Sequence, residues 1–305
     1  MLKKKSSLRH TGAFWAFVAP CCILFGIFFL LPLVLSIAFS FTNYDGWKVM
    51  DFVGIKNYIT LFKDSKFYAS MGRTLVYTIC CLPFRVIIPL LIAVLVTSPR
   101  VRLKSLSRTM IYIPVLMSAL VVGITINWMF SQEYGLINFI IQSFGGTPLE
   151  WSLNSGLATF VIGFASVWAS IGFNMIIYVG GINNISPDLY EAASIDGANS
   201  FQSFLRIDGA NSFQSFLRIT VPMLSPTTFL VVLLSTVNLL KEYALVQGIT
   251  QGGPGLSTTY IIQYIFDKGF NQMEYGYASA ISTVVMIVFA LIAYAQFKVN
   301  NGGET

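Results

Sequence analysis

Charged side chains are scarce in this chain of 305 residues. Asp, Glu, Lys and Arg together make up 10% of it, while hydrophobic residues make up 55%. Soluble globular domains carry roughly 25% charged residues, and their cores do not need so much apolar surface. Helices that face lipid do need it. The scarcity of charge therefore excludes an ordinary soluble domain and predicts an all-α polytopic membrane protein.

Histidine and well-spaced cysteines are also lacking. The single histidine, His10, lies in the N-terminal tail, and the four cysteines form two adjacent pairs, Cys21–Cys22 and Cys80–Cys81, inside apolar runs. Zinc sites use spaced Cys and His ligands, and disulfide frameworks place cysteines in exposed loops. We therefore predict no metal site and no disulfide framework, and we interpret the cysteines as small buried hydrophobic residues.

Motifs for nucleotide binding and catalysis are missing as well. The chain contains no Gly-x-x-x-x-Gly-Lys-Ser/Thr phosphate loop, no His-Glu-x-x-His and no Gly-x-Ser-x-Gly. These motifs carry phosphate binding, zinc hydrolysis and a serine nucleophile, respectively. The segment Gly252-Gly253-Pro254-Gly255 is too short to cradle a phosphate, and we interpret it as an outer turn. We expect neither catalytic residues nor a cofactor bound by this chain.

Long apolar runs are abundant, and six of them suit a membrane-crossing helix, which takes about 20 residues. The first follows Lys3-Lys4-Lys5 but far exceeds the roughly 7–15 apolar residues of a signal peptide, so we interpret it as a retained span. The predicted organisation is a basic cytoplasmic N-terminus (1–12), a six-span domain (13–298) and a cytoplasmic tail (299–305). The predicted spans are 13–42, 73–97, 109–130, 157–181, 223–246 and 277–298.

The distribution of Lys and Arg predicts the orientation of these spans. With the N-terminus inside, the inner segments hold eleven basic residues and the outer segments six, while Arg85 and Lys241 fall within spans. Cytoplasmic loops carry the excess of Lys and Arg, so both termini are predicted to be cytoplasmic. The net charge of +6 is dispersed along membrane flanks, and we therefore expect no nucleic-acid partner.

The long inner segment 182–222 is predicted to be structured. Ser186-Pro187 is a good N-cap and N1 pair for a helix over Asp188-Leu-Tyr-Glu-Ala-Ala-Ser-Ile-Asp196. Gly197 then offers a break, and a second amphipathic stretch runs towards Pro222. We predict two short cytoplasmic helices between spans four and five, and such an element indicates contact with a partner.

This segment contains a perfect tandem repeat. Residues 195–206 read Ile-Asp-Gly-Ala-Asn-Ser-Phe-Gln-Ser-Phe-Leu-Arg, and residues 207–218 repeat the same twelve letters. Chance does not explain it; a recent in-frame duplication, a deliberate insertion and an artefact of the recorded sequence all remain open. If helical, twelve added residues lengthen the element by about 18 Å and rotate the chain beyond it by roughly 120°.

The inner segment also carries a family resemblance. Glu191-Ala192-Ala193-Ser-Ile-Asp196-Gly197-Ala198, with Ile-Thr-Val-Pro222 downstream, resembles the EAA loop of ABC importer permeases, the membrane subunits of binding-protein-dependent uptake systems. The segments 52–64, 168–174 and 245–254 are similar to the same family, so the resemblance covers nearly the whole chain. It is closest to the maltose, lactose and glycerol-phosphate branch of these bacterial inner-membrane permeases.

The resemblance implies function and partners. In this family the EAA loop forms coupling helices that dock on a separate ATPase, which binds ATP and Mg²⁺, and alternating access follows ATP-driven closure of the ATPase dimer. The implied partners are two ABC ATPase subunits, a second related permease forming a heterodimer, an extracytoplasmic sugar-binding protein and membrane lipid. The implied coupling residues are Glu191, Ala192, Ala193, Asp196, Gly197, Ala198, Asp208, Gly209, Ala210 and Pro222.

Two features depart from the family pattern. Arg73 occupies a place where asparagine is usual. The duplication separates the EAA half of the motif from its proline half by twelve residues, which puts normal coupling in doubt.

Polar groups within spans are expensive and face a cavity or a partner, so they are candidates for the solute path. Asn beside Trp suits a sugar, whose hydroxyls form hydrogen bonds and whose C–H faces stack on aromatic rings. Packing of helices through polar side chains explains each residue equally well, and Trp128 also suits an interface anchor. Asn238 and Glu242, four residues apart, are expected to share a face, whereas Arg85 is expected to pair with another subunit or with backbone carbonyls. The solute-path candidates are Asn127, Trp128, Trp168, Asn174, Asn238, Glu242 and Tyr243.

The main rival is a secondary carrier driven by an ion gradient, in which Arg85, Lys241 and Glu242 form an ion relay. Such carriers often show paired repeats with broken helices, and no such halves are evident in the sequence. That alternative also leaves the EAA segment without a role. We therefore predict a permease subunit of an ATP-driven importer in the bacterial plasma membrane, with a carbohydrate as the expected class of solute.

Overall fold

The computed structural model describes residues 6–47, 50–98, 101–185, 216 and 220–301, and the side chains of 14–47, 50–98, 101–185, 216 and 220–300 within them. These residues are helical, apart from turns and an isolated antiparallel bridge between Thr42 and Phe52. Among them, four helices are long and apolar enough to cross a membrane: Phe14–Phe39, Ser65–Thr97, Ser155–Asn183 and Tyr275–Asn300. They coincide with predicted spans one, two, four and six, so the chain is a multi-pass membrane protein.

The helices are numbered in chain order. The first span combines α1 and α2 through a π-helical turn, Gly26–Leu30, and a second π-helical turn, Asp267–Asn271, follows α12. The bounds are α1 Ser6–Phe25, α2 Leu31–Phe39, α3 Lys56–Leu61, α4 Ser65–Thr97, α5 Lys104–Leu116, α6 Ala119–Met129, α7 Leu136–Ser143, α8 Ser155–Asn183, α9 Val221–Met223, α10 Ser225–Leu240, α11 Ala244–Ile249, α12 Ile261–Phe266 and α13 Tyr275–Asn301.

Predicted spans three and five are broken. Helices α5 and α6 meet at an angle of 97°, because Met117 and Ser118 between them have extended backbones, with ψ of 145° and 135°. Span five stops at Leu240 and resumes as α11. Broken helices therefore do not separate a permease from a secondary carrier here. Six complete spans and cytoplasmic termini stay predictions.

The chain divides into two compact units. Unit 1 comprises Met1–Phe67 and Tyr264–Ala290, and unit 2 comprises Tyr68–Gln263 and Leu291–Thr305. In unit 1, the Asn57 side chain donates to the carbonyls of Ser40 and Thr42, both at 2.8 Å. These bonds fasten α3 to the end of the first span, and the bond to Ser40 satisfies a carbonyl that the helix end leaves without an intrahelical partner.

Unit 2 is organised around α8. Gly172 approaches α5 so closely that a Cβ there would lie 2.7 Å from the carbonyl oxygen of Ile111, and one at Gly181 would lie 2.5 Å from Thr227 Oγ1. Small residues at helix contacts let backbones approach each other within a membrane. Helix α8 contributes Ile162, Met175 and Tyr178 to two buried clusters, whose other members include Tyr77, Leu224, Val231 and Leu239.

The cysteines are mostly not buried. Cys21, Cys22 and Cys80 are exposed in the chain, and Cys81 is buried. The prediction of four small buried hydrophobic residues was therefore wrong for three of them. An apolar run identifies a membrane helix but does not tell which of its sides packs against protein, and a thiol is apolar enough for either side.

Candidate functional site

The break in span five is the centre of the candidate site. Helix α10 has 16 residues and is therefore about 24 Å long, less than the roughly 30 Å of membrane hydrocarbon. It ends before Lys241, Glu242 and Tyr243, and α11 continues for six residues, Ala244–Ile249. Backbone outside a helix is tolerated at membrane depth where protein buries it or where it lines an aqueous cavity.

The two broken spans hold each other through a glycine crossing. A Cβ on Gly123 of α6 would lie 2.9 Å from the carbonyl oxygen of Leu245 in α11, and one on Gly248 would lie 2.8 Å from that of Leu120. Neither position has room for a side chain. Helices α6 and α11 therefore form one closely packed pair, with a break at 117–118 on one side and a break at 241–243 on the other.

A buried ion pair meets the break in span five. Arg85 Nη2 of α4 lies 3.8 Å from Glu242 Oε2, and the two side chains are 6% and 11% exposed. Arg85 also donates to the hydroxyl of Ser166 on α8. The expectation that Arg85 pairs with another subunit or with backbone carbonyls was wrong, because its partners here are side chains of its own chain.

Asn174 of α8 completes this polar cluster. Its Nδ2 donates to the backbone carbonyl of Arg85 at 2.8 Å and to Ser235 Oγ of α10 at 3.1 Å. The side chain is 3% exposed. Asn174 thus links three helices through both amide protons, and its hydrogen-bonding capacity in this arrangement serves helix packing.

Two stacked tyrosines lie in the same core. The rings of Tyr77 and Tyr260 are 4.6 Å apart between centroids and nearly parallel, at 27°. The Tyr260 hydroxyl and Arg85 Nε are buried and lack hydrogen-bond partners among the described residues. Buried polar atoms are nearly always hydrogen-bonded in folded proteins, so the core contains unused hydrogen-bonding capacity.

Of the other solute-path candidates, Trp168 packs against the cluster that contains Tyr77 and Tyr260, and the exposed ones lie outside it. Asn127, Trp128 and Asn238 are exposed, whereas Trp168 and Tyr243 are partly buried. Asn238 and Glu242 do not share a helical face as expected, because the helix that would bring them together ends at Leu240. One periodic face requires an uninterrupted helix. The structure therefore brings Asn174 and Glu242 into one cluster and leaves the exposed candidates outside it.

Most of the predicted coupling residues lie outside the described residues: Glu191, Ala192, Ala193, Asp196, Gly197, Ala198, Asp208, Gly209 and Ala210. Pro222 is described and occupies the first turn of α9, where a missing backbone N–H costs nothing. It lines a groove of about 690 Å³ whose walls come from α10 and the end of α13, including Phe229 and Ile292.

Arg73 holds the turn that precedes α12. Its Nη1 donates to the carbonyl of Thr259 at 3.3 Å, and the next residue, Thr74, accepts from the backbone N–H of Ile261 at 2.9 Å. Within this turn, Gly252 and Gly255 have φ of +96° and +61°, which glycine adopts readily. The predicted turn around 252–255 is confirmed, and its outer location stays a prediction.

Unit 1 contains a second polar cluster, which the sequence did not indicate. Asp64 Oδ1 caps α4 by accepting from the N–H groups of Lys66 and Phe67, while Oδ2 accepts from the hydroxyls of Tyr264 and Tyr277. About 200 residues separate the partners along the chain, so no hydrophobic periodicity and no motif spacing in the sequence links them. The sequence offered one signal for part of this cluster, namely a helix start at Ser65 directly after Asp64.

The protonation of this cluster follows from its contacts. Partial burial raises the pKa of Asp64, but four hydrogen bonds to the carboxylate outweigh it and hold the pKa below its ordinary value. The pKa of Tyr264 is raised, mainly by burial and to a smaller extent by the hydrogen bond that its hydroxyl donates to Asp64. Asp64 is therefore the charged acceptor and the tyrosines are neutral donors at neutral pH.

The Asp64 cluster forms one wall of a cleft in unit 1. The cleft has a volume of about 880 Å³ and is lined also by Tyr44, Trp47, Lys63 and Lys268. Trp47 is 85% exposed, and Lys268 is paired with Glu274 at 2.9 Å. The described residues contain no group of three or more His, Cys, Asp or Glu side chains suited to a metal ion.

Comparisons with known proteins place the chain in a family. Residues 58–301 match the model for binding-protein-dependent transport system inner membrane components. The lactose transport system permease protein LacF of Rhizobium radiobacter is 31% identical over 93% of this chain and 92% of its own. The arabinooligosaccharides transport system permease protein AraP of Bacillus subtilis (strain 168) is 31% identical over 94% of this chain and 88% of its own.

Solved structures agree on the fold. A crystal structure of a bacterial ABC transporter involved in the import of the acidic polysaccharide alginate contains a chain with a TM-score of 0.80 and 22% identity, and the match covers 97% of each chain. The family match and the sugar-permease relatives confirm the resemblance to sugar-type ABC importer permeases that was stated from the EAA residues. The chain belongs to the family of binding-protein-dependent transport system inner membrane components.

Proposed function

We propose that this chain is a transmembrane permease subunit of an ATP-driven importer for a carbohydrate in a bacterial plasma membrane. The match to sugar permeases over nearly the whole chain carries this proposal, since the relatives include transport proteins for lactose, arabinooligosaccharides and starch degradation products. The broken spans three and five support a transport role in general, because broken helices at membrane depth accompany solute pathways, but they do not distinguish an ATP-driven importer from a secondary carrier.

The proposed machinery consists of several subunits. Two ABC ATPases bind ATP and Mg²⁺, a second related permease completes the membrane part, and an external sugar-binding protein delivers the solute. A transporter of the same fold has been solved in complex with an alginate pentasaccharide-bound periplasmic protein, which supports the last of these partners. This chain contributes half of the pathway and no ATP hydrolysis of its own.

Coupling is assigned to the inner segment 182–222. Glu191 and Asp196 can pair with basic groups or interact with helix ends, and Ala192, Ala193 and Gly197 allow the backbone to approach a partner surface. The second copy of the repeat, 207–218, separates this half from Pro222. We propose that one copy occupies the docking position and that the other projects from it.

The test is to tag the chain, purify it in mild detergent and identify its partners by mass spectrometry, beside a variant lacking 207–218. An ATPase and a second permease with both forms support the importer and show that the repeat is tolerated. Partners with the shortened form alone mean that the repeat disrupts docking. No ATPase with either form contradicts the coupling proposal and favours a single-chain carrier.

The solute class has a separate test. The assembled complex and its binding protein are reconstituted in liposomes, and uptake of lactose, arabino-oligosaccharides and malto-oligosaccharides is measured with internal ATP. Uptake of one of them supports a carbohydrate importer. An ATP-dependent uptake of amino acids or phosphate esters, with none of the saccharides transported, contradicts the assigned class.

A further inference from the structure

The ion pair between Arg85 and Glu242 is buried, yet its two charged groups are not in close contact. Their closest nitrogen and oxygen are 3.8 Å apart, beyond the range of about 2.7–3.2 Å for a hydrogen bond. Arg85 Nε has no partner among the described residues, and Glu242 Oε1 accepts from the backbone N–H of Leu245 at a long 3.4 Å. Both ions lose hydration here without full replacement.

A permanent structural contact would not need these charges. Burying an ion costs more than a loose partner returns, and apolar residues of similar volume serve a static core as well or better. A buried charge whose hydrogen bonds are incomplete loses less when its contact separates than a fully bonded charge would, so the contact breaks at a lower cost. The geometry therefore favours two arrangements of this contact over one.

The two partners differ in their freedom to move. Arg85 lies in the middle of the 33-residue α4, and the guanidinium bond to Ser166 together with the bond from Asn174 to its carbonyl ties it to α8. Glu242 lies in the three-residue break between α10 and α11. Backbone changes in short breaks of this kind are how packed helices swing.

The element beyond the break is the α6–α11 pair. Its glycine crossing at Gly123 and Gly248 leaves no space between the backbones, so the two helices move together or not at all. The pair is bounded by the breaks at 117–118 and 241–243. Its connections to α5 and α10 therefore both run through non-helical backbone.

We propose that α6 and α11 move as one body about these two breaks, and that the Arg85–Glu242 pair is the positioning contact that fastens this body to α4 in one state of the transport cycle. The inference rests on the proposed function, since ATP binding to the partner subunits supplies the motion. Glu242 acts here through Arg85 and the backbone of the break, without touching the solute.

The experiment measures the motion by spin labels in the complex purified with its ATPase. The four native cysteines are replaced by alanine, and labelled cysteines are placed at Leu91 of α4 and Gln247 of α11, two exposed positions. Labels at Leu91 and Phe160 of α8 form the stationary control. Distances are recorded by pulsed electron resonance, without nucleotide and with ATP plus vanadate.

We expect the Leu91–Gln247 distance to shift by more than about 2 Å on trapping, the scale of helix shifts in switching proteins, while the control distance stays constant. In Arg85→Met/Glu242→Met, which keeps the volume and removes both charges, we expect assembly with the ATPase and a shift of less than half the wild-type size. A wild-type shift in this variant, or no shift with the charges intact, overturns the inference.

A second variant decides the matter if the double methionine chain does not assemble. Arg85→Lys keeps the charge, but one ammonium does not hold Ser166 and Glu242 as the guanidinium fork does. We expect this complex to assemble and to show a reduced shift, and an undiminished shift overturns the inference. If the wild-type chain does not purify with an ATPase, the proposed function itself is contradicted. That outcome differs from one in which the complex assembles but the distance shift does not depend on the Arg85–Glu242 pair, which contradicts only the positioning contact.

Discussion

Two carboxylates in this protein are held in different ways. In unit 2, Glu242 is buried beside the cation Arg85, at a break in a membrane helix. In unit 1, Asp64 has hydroxyl donors from Tyr264 and Tyr277 and two backbone N–H groups at the start of α4. One carboxylate depends on a counter-charge and the other on neutral donors.

The difference follows from solvent access. Asp64 is only partly buried, so water shares its solvation and neutral donors are sufficient. Glu242 is 11% exposed, and an ion this far from water requires an opposite charge or loses its own. The same chemical group is therefore a fixed local anchor in unit 1 and a charge-dependent contact in unit 2.

The largest effect is expected when one charge of the buried pair is removed. Arg85→Met leaves Glu242 buried without a counter-ion and should destabilise the chain by about 3–5 kcal/mol. Thermal unfolding of the detergent-purified protein measures the loss. Lys241→Met, an exposed charge next to Glu242, is the matched control and should change stability by less than about 0.5 kcal/mol. Equal stabilities of the two variants would contradict the difference between buried and exposed charge.

The next effect is expected at the carboxylate in unit 1. Asp64→Ala removes the cap of α4 and leaves two tyrosine hydroxyls without their acceptor, which should cost about 1–3 kcal/mol. The same unfolding assay applies, with Lys66→Ala as the control, because that residue contributes its backbone N–H and not its side chain. If Asp64→Ala destabilises the chain more than Arg85→Met does, the Asp64 cluster contributes more to stability than the buried ion pair, contrary to the expectation.

A smaller effect is expected from one of the neutral donors. Tyr264→Phe removes a single hydrogen bond to Asp64 and keeps the ring, so the expected loss is about 1 kcal/mol. Tyr134→Phe is the control, since its side chain is 69% exposed. If Tyr264→Phe is as harmful as Asp64→Ala, the carboxylate depends on that one donor and the description of four shared donors is wrong.

The smallest effect concerns pH. The pKa of Asp64 is lower in the folded chain than its ordinary value of 3.8, so its contribution is complete above pH 3.8 and is lost as the pH falls through the folded-state pKa. The difference in unfolding temperature between wild type and Asp64→Asn should be full at pH 6 and shrink below pH 3.8. A difference that grows on acidification would mean that the folded chain raises this pKa.

Hydropathy predicted the continuous spans well and the broken ones only as apolar runs. Both span one and span four were predicted from their apolar content. In the most apolar stretch of Phe14–Phe39 no residue is buried by the protein, whereas 39% of the corresponding stretch of Ser155–Asn183 is buried. Apolar content reflects transfer into lipid and is high in both spans, with a mean hydropathy of 2.7 in the first and 1.9 in the fourth. The packed side of span four depends on Gly172, Gly181 and Asn174, whose effect appears only against neighbouring helices.

The amino-acid sequence by itself determined the membrane class, the positions of the four continuous spans and the family, because these depend on local composition and on the EAA residues around Glu191. Tertiary structure alone decided that Arg85 meets Glu242 and that Asp64 meets Tyr264, across about 157 and 200 residues of chain. A carboxylate in a sequence specifies how much its burial would cost. Which donor or cation offsets that cost is settled only when distant helices pack together.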